Sequence, residues 1–384
     1  MASSGPSAAS TSRAGDRFFD PRPFPDAPPS FAVRALLALR RKLLRLADSI
    51  LPADVVLFER ATHVLETVTI GLAAKLGVSD LLAQHGPLTG AQLAERLHTN
   101  ADCTHRFLRA LATRGIYELA SDGRYSNNAL SRALLSGTPM RGREWARYMC
   151  SHSNLKAAMQ LEHVVTNGGS AFEHANGMGV WAWFDAHPDE REHFAHAMMG
   201  LTFVDAPLIA SLYPFRELHT LCDVGGGRGS LLSELLLRHP HLRGTLCDAD
   251  GVVESARSLL RARGVLDRVE LHPANFFEAV PAGADAYLLK NILHDWDDAR
   301  SELILGCVRR AIPAHGRLLV VEMLCEPNLA EGIAPLSDLQ MMLVCDGGRE
   351  RSREEFATLF AKCGFELKRV FPSPTTSVLE AVPS

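Results

Sequence analysis

From residue 220 onward the chain alternates short apolar runs with longer segments of helical periodicity. The short runs cover residues 220–224, 244–247, 269–272, 286–289, 317–322, 365–370 and 377–381. This alternation is typical of strands connected through helices, and it predicts an α/β layer with a mostly parallel sheet. The last runs fit an antiparallel pair at the C-terminal end of the sheet.

Residues 55–140 show a different pattern, which we assign to a separate N-terminal domain. Helical periodicity at 61–76 and 101–114 is followed by two short extended runs around the turn Asp122-Gly123. Thr89 and Gln92 have the spacing of a capping box, in which the side chains satisfy free amides at the start of a helix. Helix, turn, helix and hairpin together predict a winged helix.

Three further segments complete the organisation of the chain. Residues 1–30 are rich in Ser, Ala and Pro and are predicted to be a disordered tail. Residues 31–54 form the pattern of a basic amphipathic helix, for which packing on the body or on a second subunit is favoured over a membrane surface. Residues 141–215 are predicted to be mainly helical, and their Trp, Met and Phe side chains fit a core and the wall of an apolar pocket equally well.

Composition places the chain among ordinary globular proteins of the cytoplasm. Its 384 residues suffice for two or three domains, and 47% of them are hydrophobic against 22% charged. A formal net charge of -4 shows no excess of basic residues of the kind typical of nucleic-acid-binding proteins. The eight cysteines include no C-x-x-C pair, as expected for buried cytosolic thiols. There is no apolar run of 18 residues and no signal-peptide pattern, so we expect no stable membrane insertion.

The winged helix raises the alternative of DNA binding. Basic side chains lie on its candidate recognition helix at His105, Arg106, Arg109 and Arg114. This helix is short, however, and Phe107 and Leu108 interrupt its charges. Few lysines lie in the neighbouring loops, so a winged helix used as a protein interface is the favoured interpretation.

A glycine-rich loop, DVGGGRG at residues 223–229, ends the first strand of the predicted α/β domain. Consecutive glycines let the backbone approach a ligand closely and turn sharply into a helix. The spacing does not match the G-x-G-x-x-G fingerprint of nicotinamide cofactor sites, because Ser230 stands where that pattern needs glycine. Asp248 ends the next predicted strand, where a carboxylate can accept hydrogen bonds from both ribose hydroxyls of an adenosine.

In these residues and in several further stretches, the chain resembles the plant-type small-molecule O-methyltransferase family and its bacterial relatives in secondary metabolism. The matching stretches are DVGGGRG (223–229), CDADGVVESA (247–256), YLLKNILHDWDD (287–298), LLVVEM (318–323) and DGGRERS (346–352). The resemblance implies a Rossmann-like domain over residues 216–384 that binds S-adenosylmethionine. It also implies that residues 55–140 are a winged-helix dimerisation domain.

The same resemblance assigns the cofactor residues. Asp223, Gly225 and Gly227 are expected around the methionine part of S-adenosylmethionine, Asp248 at the ribose, Asn275 and Phe276 beside the adenine, and Lys290 along the site. Two positions depart from the family. Asn275 replaces an Asp but retains an acceptor oxygen. Arg228 replaces a small Thr, so its side chain must point away from the positive sulfonium of the cofactor.

The chemistry of methyl transfer gives His294 the central role. A phenol has a pKa of about 10, so a base must remove its proton at neutral pH. His294 follows an apolar strand at the sheet edge where ligands of such folds bind, and the resemblance implies that it is this base. Glu322 and Glu350 match family glutamates that orient the histidine, because a carboxylate on one imidazole nitrogen fixes its tautomer. No metal is expected, since the sequence shows no convincing ligand spacing.

Side chains from distant parts of the sequence are predicted to line the acceptor site. They are Met149, Trp183, Asp295, Met341 and Met342, a set that suits a large, flat or lipophilic acceptor. The resemblance implies a homodimer formed through the N-terminal domain, with the helices of residues 31–76 partly at the interface.

Other functions remain open at the level of sequence. N- or C-methylation, or S-adenosylmethionine binding without methyl transfer, would keep the same fold. His294 with both glutamates argues against the loss of methyl transfer but leaves a nitrogen acceptor open. A winged-helix regulator that senses S-adenosylmethionine is a further alternative, in which the base and its acids would have no role.

Overall fold

The computed structural model describes residues 16–328, 332–373 and 375–384. The N-terminal region consists of helices and a small antiparallel sheet of order β1-β3-β2. Its elements are α1 (Ser30–Ser49), α2 (Ala53–Leu76), α3 (Val78–His85), β1 (Leu88–Thr89), α4 (Gly90–Leu97), α5 (Ala101–Thr113), β2 (Tyr117–Leu119), β3 (Arg124–Asn127) and α6 (Ala129–Arg132).

Local signals in the sequence explain this winged-helix arrangement. Thr89 accepts a hydrogen bond from the backbone amide of Gln92 at 3.2 Å, and the Gln92 side chain accepts one from the Thr89 amide at 2.9 Å. The predicted capping box is therefore confirmed as the start of α4. Gly123 adopts a positive φ of 80° in the turn between β2 and β3, which confirms the predicted hairpin.

Six helices connect this region to the C-terminal sheet, as predicted for a mainly helical segment. They are α7 (Gly142–Met149), α8 (His152–Ala158), α9 (Leu161–Asn167), α10 (Ala171–Asn176), α11 (Val180–Ala186) and α12 (Pro188–Leu212). By length and composition, α12 is the one helix of the described chain that could span a membrane. It packs here against α7 and against α13 (Ser230–Arg238) of the next domain, as a core helix does.

The C-terminal domain is built on a seven-stranded sheet of order β6-β5-β4-β7-β8-β10-β9. All seven predicted runs are strands; the first five are parallel and β10 is antiparallel to both of its neighbours. The elements are β4 (Thr220–Val224), α13 (Ser230–Arg238), β5 (Arg243–Asp248), α14 (Asp250–Ala262), β6 (Val269–Pro273), β7 (Ala286–Lys290), α15 (Asp298–Ala311), β8 (Arg317–Glu322), α16 (Ala334–Val344), α17 (Arg353–Lys362), β9 (Phe365–Phe371) and β10 (Ser377–Pro383).

Hydrophobic clusters cover both faces of this sheet. Alternate residues of β4 point to opposite sides, so Leu221 belongs to one cluster while Cys222 and Val224 belong to the other. Burial on both faces explains why the strands read as continuous apolar runs. From β4 the chain adds β5 and β6 on one side of the sheet and then β7 and β8 on the other side. Such a change of direction leaves a crevice at the carboxyl ends of the strands next to β4.

Residues 16–26, which we call the N-terminal strap, are ordered against the C-terminal domain. Phe18 and Phe24 are 1% and 2% exposed, and the centroids of their rings lie 5.1 Å apart. The backbone amide of Phe24 donates to both carboxylate oxygens of the buried Glu234 at 3.0 Å. The prediction of a disordered tail is therefore wrong for residues 16–30, because two buried aromatic rings hold the strap; residues 1–15 lie outside the described residues.

The predicted amphipathic helix over residues 31–54 is divided between two helices. The helix α1 ends at Ser49, and Pro52 caps the start of α2, because proline fits a helix start but not its interior. No residue of α1 is buried, and apolar side chains such as Leu36 and Leu43 are more than half exposed.

Candidate active site

The predicted site residues lie at one edge of the large sheet. The glycine loop follows β4, Asp248 ends β5, Lys290 ends β7 and Glu322 ends β8. Because these strands are neighbours in the order β5-β4-β7-β8, their carboxyl ends bring the side chains together. Asn291 adopts a φ of 54°, a left-handed conformation that Asn tolerates, and turns the chain out of β7 towards His294.

His294 lies among three carboxylates. Its Nδ1 atom is 2.9 Å from Oε1 of Glu350 and 3.5 Å from Oε2 of Glu322, while its Nε2 atom is 3.6 Å from Oδ1 of Asp295. The side chains of Glu322 and Glu350 are fully buried, and that of His294 is 12% exposed. The two glutamates therefore share one imidazole nitrogen, and Asp295 faces the other.

Further hydrogen bonds fix the two glutamates. Oε1 of Glu322 accepts from the backbone amides of Ile292 and Leu293, both at 3.0 Å. Oε1 of Glu350 accepts from the Ser337 hydroxyl at 2.7 Å, in addition to its contact with His294. These bonds set the direction of both carboxylates, which in turn sets the tautomer and the orientation of the imidazole.

The carboxylates shift the acid–base equilibrium of the site. Burial alone lowers the pKa of His294, but Glu322, Asp295 and Glu350 outweigh it and raise this pKa to about 10. Burial raises the pKa of Glu322 to about 7 and that of Asp295 to about 6, and the positive imidazolium opposes both shifts. In the free protein the imidazole is therefore protonated on both nitrogens at neutral pH, and it acts as a base only after losing one proton.

One atom each of His294, Glu322 and Glu350 lie within 4.8 Å of one another, a separation that would also suit a metal ligand set. One oxygen of each glutamate already accepts hydrogen bonds, which is the pattern of a base with orienting acids. That no metal takes part in the reaction stays a prediction.

The sequence analysis missed Arg351, which holds the loop that carries His294. Its guanidinium is 1% exposed and donates to the carbonyls of Leu293 and Trp296 at 2.7 and 2.8 Å. It also pairs with Asp298 at 2.8 Å. Arg351 follows Glu350 in the GGRER stretch, so one loop supplies both the acid that orients the imidazole and the cation that fixes its backbone. The residues around it, 346–355, are glycine, polar or charged residues, so no signal in the sequence separates Arg351 from its neighbours Arg349 and Arg353.

The glycine loop forms a cradle next to two acids. Gly225 and Gly227 have positive φ angles of 71° and 58°, and a Cβ atom at Gly225 would lie 2.4 Å from the Ile292 side chain. Oδ2 of Asp248 accepts from the Gly227 amide at 2.8 Å. Oδ2 of Asp223 is buried and has no hydrogen-bond partner among the described residues. An open backbone and an orphaned acceptor fit a ligand that carries an ammonium group and ribose hydroxyls, as S-adenosylmethionine does.

Burial shifts the acid–base equilibrium of this cradle as well. Burial and the nearby charge of Asp248 together raise the pKa of Asp223 to about 7, and Lys290 opposes this shift. Burial also raises the pKa of Asp248, against the hydrogen bonds from the backbone amides of Gly227 and Ala249. A cation bound in the cradle would favour the ionised form of both carboxyls.

The remaining cofactor candidates differ in their surroundings. Phe276 lies beside Gly225, with a ring atom 3.7 Å from where a Cβ would stand. Asn275 uses its side-chain oxygen to accept from the Phe277 amide at 3.1 Å and donates to Glu278, so its amide is engaged in the local turn. The side-chain oxygen of Asn275, which was expected to contact adenine, therefore already accepts a hydrogen bond within the chain.

Lys290 pairs with a residue that the sequence analysis missed. Its Nζ atom lies 3.2 Å from Oδ2 of Asp205 on α12, and both side chains are nearly buried. The Thr375 hydroxyl donates to the other oxygen of Asp205 at 3.2 Å. Asp205 is the single acid in the apolar part of α12, residues 197–212, and this was the available signal, because a buried charge needs a partner.

Four of the five predicted acceptor-site residues lie in one hydrophobic cluster. Met341 is a buried member of it, and Met149, Trp183 and Met342 pack against it. The cluster reaches the fifth residue through Cys345, whose Sγ atom lies 3.5 Å from Oδ1 of Asp295. Trp183 itself donates to Glu190 at 3.2 Å and stacks on His187, so it belongs to the outer layer of this cluster.

The chain matches two family models. The O-methyltransferase domain matches residues 158–366, more than half of the chain, and the O-methyltransferase dimerisation domain matches residues 59–137. Because the first model covers the whole glycine loop and the loops of His294 and Glu350, the family match and the geometry concern the same site.

Characterised relatives match over most of their length. A mitomycin biosynthesis 6-O-methyltransferase from Streptomyces lavendulae is 40% identical over 79% of this chain and 86% of its own. The phenazine O-methyltransferase PhzM of Lysobacter antibioticus is 37% identical over 86% of this chain and 97% of its own. The crystal structure of the O-methyltransferase NcsB1, from neocarzinostatin biosynthesis, contains S-adenosylmethionine and 2-hydroxy-5-methyl naphthoic acid. It superposes with a TM-score of 0.75 at 29% identity, covering 83% of this chain and 96% of that one. The chain therefore belongs to the O-methyltransferase family and is an S-adenosylmethionine-dependent O-methyltransferase.

Proposed function

We propose that His294 removes the proton from a phenolic or enolic hydroxyl of a small secondary metabolite while Glu322 and Glu350 hold its imidazole. One observation carries this proposal: Nδ1 of His294 faces both glutamates, at 2.9 and 3.5 Å. A proton on Nδ1 is stabilised by these carboxylates, so Nε2 is the nitrogen left to act as the base. The charge that forms on the ring during proton transfer is compensated by the same carboxylates.

Asp295 supports the acceptor side of this proposal. Its carboxylate lies 3.6 Å from Nε2, the basic nitrogen, and it borders the hydrophobic cluster through Cys345. We assign it a contact with the acceptor rather than a role as an orienting acid. The wall proposed around the acceptor consists of Met149, Trp183, Met341 and Met342. Large aromatic and sulfur side chains suit a flat acceptor, and two relatives are a mitomycin biosynthesis 6-O-methyltransferase and a phenazine O-methyltransferase.

S-adenosylmethionine supplies a methyl group that its sulfonium charge already activates, so the protein has only to orient the acceptor and move one proton. For the cofactor we propose the predicted set Asp223, Gly225, Gly227, Asp248, Asn275, Phe276 and Lys290. The free oxygen of Asp223 and the open backbone at the glycines support the assignment. Asn275 contributes through its position in the turn, because its amide is engaged locally.

We propose a cytoplasmic homodimer without a nucleic-acid or membrane partner. The dimerisation-domain match and the exposed apolar side chains of α1 and α2 support the dimer. All eight cysteines are free thiols, which fits a reducing compartment. N- or C-methylation and a regulatory role are the alternatives, and the following experiment separates them.

The test compares wild type with His294→Gln and Asp248→Ala, by calorimetric titration with S-adenosylhomocysteine and by methyl transfer to a panel of phenolic acceptors. We expect His294→Gln to bind S-adenosylhomocysteine like wild type and to lose about 100-fold to 10,000-fold in methyl-transfer rate, the contribution typical of a general base. We expect Asp248→Ala to lose binding. His315→Gln is the matched control, because the His315 side chain is 76% exposed. Methyl transfer by His294→Gln at the wild-type rate would contradict the proposed base.

A further inference from the structure

The glycine loop between β4 and α13 has a single side chain through which the rest of the protein can hold it. Residues 225–229 are Gly-Gly-Gly-Arg-Gly, so only Arg228 extends beyond the backbone. Three of these glycines have positive φ angles, and glycine has the largest conformational freedom of all residues. A loop of this composition keeps one conformation only if contacts from outside restrain it.

Arg228 reaches such contacts on α12. Its Nη2 atom forms an ion pair with Glu192, and its Nη1 atom lies 3.1 Å from Nε2 of His196. The same nitrogen of His196 lies 3.3 Å from the other carboxylate oxygen of Glu192. Glu192 and His196 are one helical turn apart, so both face the loop from the same side of α12. We call these three residues the loop clamp.

The helix α12 also contacts both other parts of the site. Phe194 and Met198 pack against the hydrophobic cluster that we propose as the acceptor wall. Asp205, further along the same helix, pairs with Lys290 at the tip of β7. One helix of 25 residues thus holds the cofactor loop, part of the acceptor wall and the proposed cofactor lysine.

We propose that Arg228 is a positioning residue, which fixes the cofactor loop to α12 through the loop clamp. The order of the acceptor wall on α12 then depends on whether the cofactor is bound. This inference rests on the proposed function in one respect, that Phe194 and Met198 border the acceptor. Binding of the cofactor restrains the loop, and the clamp passes this restraint to α12. An acceptor then meets a wall that is already ordered, which lowers the entropy cost of its binding.

The test uses S-adenosylhomocysteine as the ligand, so it needs no knowledge of the acceptor. Its affinity is measured by calorimetry, and hydrogen exchange is followed in α12 and in the loop with α13, for wild type, Arg228→Thr and Glu192→Gln. We expect both variants to bind S-adenosylhomocysteine about 5-fold more weakly than wild type. This change is at the low end of coupling energies because Glu192 is half exposed. In wild type the ligand slows exchange in both segments. In the variants the protection of α12 is lost while that of the loop remains.

A double variant separates positioning from general destabilisation. The effects of Arg228→Thr and Glu192→Gln should fall well short of additive, because each removes the same contact. Arg191→Gln is the matched control on α12, since its guanidinium pairs with the exposed Asp185 instead of the loop. Wild-type affinity together with full protection of α12 in Arg228→Thr would overturn the proposal. A wild type that does not bind S-adenosylhomocysteine would instead contradict the cofactor assignment itself.

Discussion

At the scale of single residues, His294 illustrates how a buried base is tuned by its neighbours. An isolated imidazole would lose affinity for its proton on burial, yet the three carboxylates around His294 reverse the sign of the shift. A base that holds its proton more firmly is also a stronger acceptor for the proton of a phenol, whose own pKa is about 10. The pKa values of the two groups are therefore close, so the phenol proton can pass to the imidazole at little cost once the imidazole has lost its own proton.

Replacing one carboxylate tests this account directly. In Glu350→Gln we expect the pKa of His294 to fall below the value of about 10 in wild type, because the imidazolium loses a stabilising negative charge. NMR titration of the cofactor-free protein measures this pKa. Glu354→Gln, at an exposed position of α17, is the control. An unchanged titration of His294 in Glu350→Gln would refute the electrostatic explanation.

The proposed base and its two orienting acids were predictable from sequence, whereas several of their partners were not. His294, Glu322 and Glu350 lie in short motifs whose order along the chain follows the order of the strands. Asp205 and Arg351 act through contacts between segments that are distant in sequence, and these contacts depend on how helices pack on the sheet. Spacing along a chain carries no information about such packing.

At the scale of elements, the strands of the large sheet were predicted from sequence, whereas the order of the N-terminal strap was not. The buried parallel strands β4, β7 and β8 consist mainly of apolar residues, which made them recognisable, whereas the edge strands β6 and β9 mix apolar with charged residues. The strap has three phenylalanines, two of them buried, among polar residues and prolines, without any periodicity. Its order comes from Phe203, Glu234 and Arg263 of the domain on which it packs.

The strap should therefore contribute to stability although it lies outside both family models. In Phe24→Ala we expect the free energy of unfolding to fall by about 3 kcal/mol, the cost of truncating a buried aromatic side chain. Chemical denaturation measures this loss. Leu303→Ala, at a side chain that is 57% exposed, should change stability by less than about 0.5 kcal/mol. Equal effects of the two substitutions would mean that the strap does not hold the domain.

At the scale of the whole molecule, the exposed apolar side chains are concentrated on the first two helices. Side chains more than half exposed include Leu36, Leu39, Leu43, Leu46, Leu57, Phe58, Val64 and Leu65. A monomeric soluble protein rarely exposes so continuous an apolar surface. Because α2 enters the matched dimerisation domain, a second copy of the chain is the expected partner of this surface.

A charge within this surface should dissociate the dimer. We expect wild type to sediment as a dimer at micromolar concentration and Leu65→Glu to sediment as a monomer, because a carboxylate cannot be buried in an apolar interface without a partner. Leu303→Glu introduces the same charge on α15 and should leave the dimer intact. Analytical ultracentrifugation distinguishes the two states. A monomeric wild type would contradict the assignment of α1 and α2 to an interface.

The strap has a consequence for the synthesis of the protein. Phe24 leaves the ribosome early, but Glu234, which binds its amide, follows 210 residues later. At ordinary rates of translation this interval lasts roughly 10 to 40 s. Throughout that time the aromatic rings of the strap, and the apolar side chains of α1 that follow it, are accessible to chaperones and to neighbouring nascent chains. The strap is thus made long before the residues on which it docks, and a chain released before residue 263 lacks part of its docking surface.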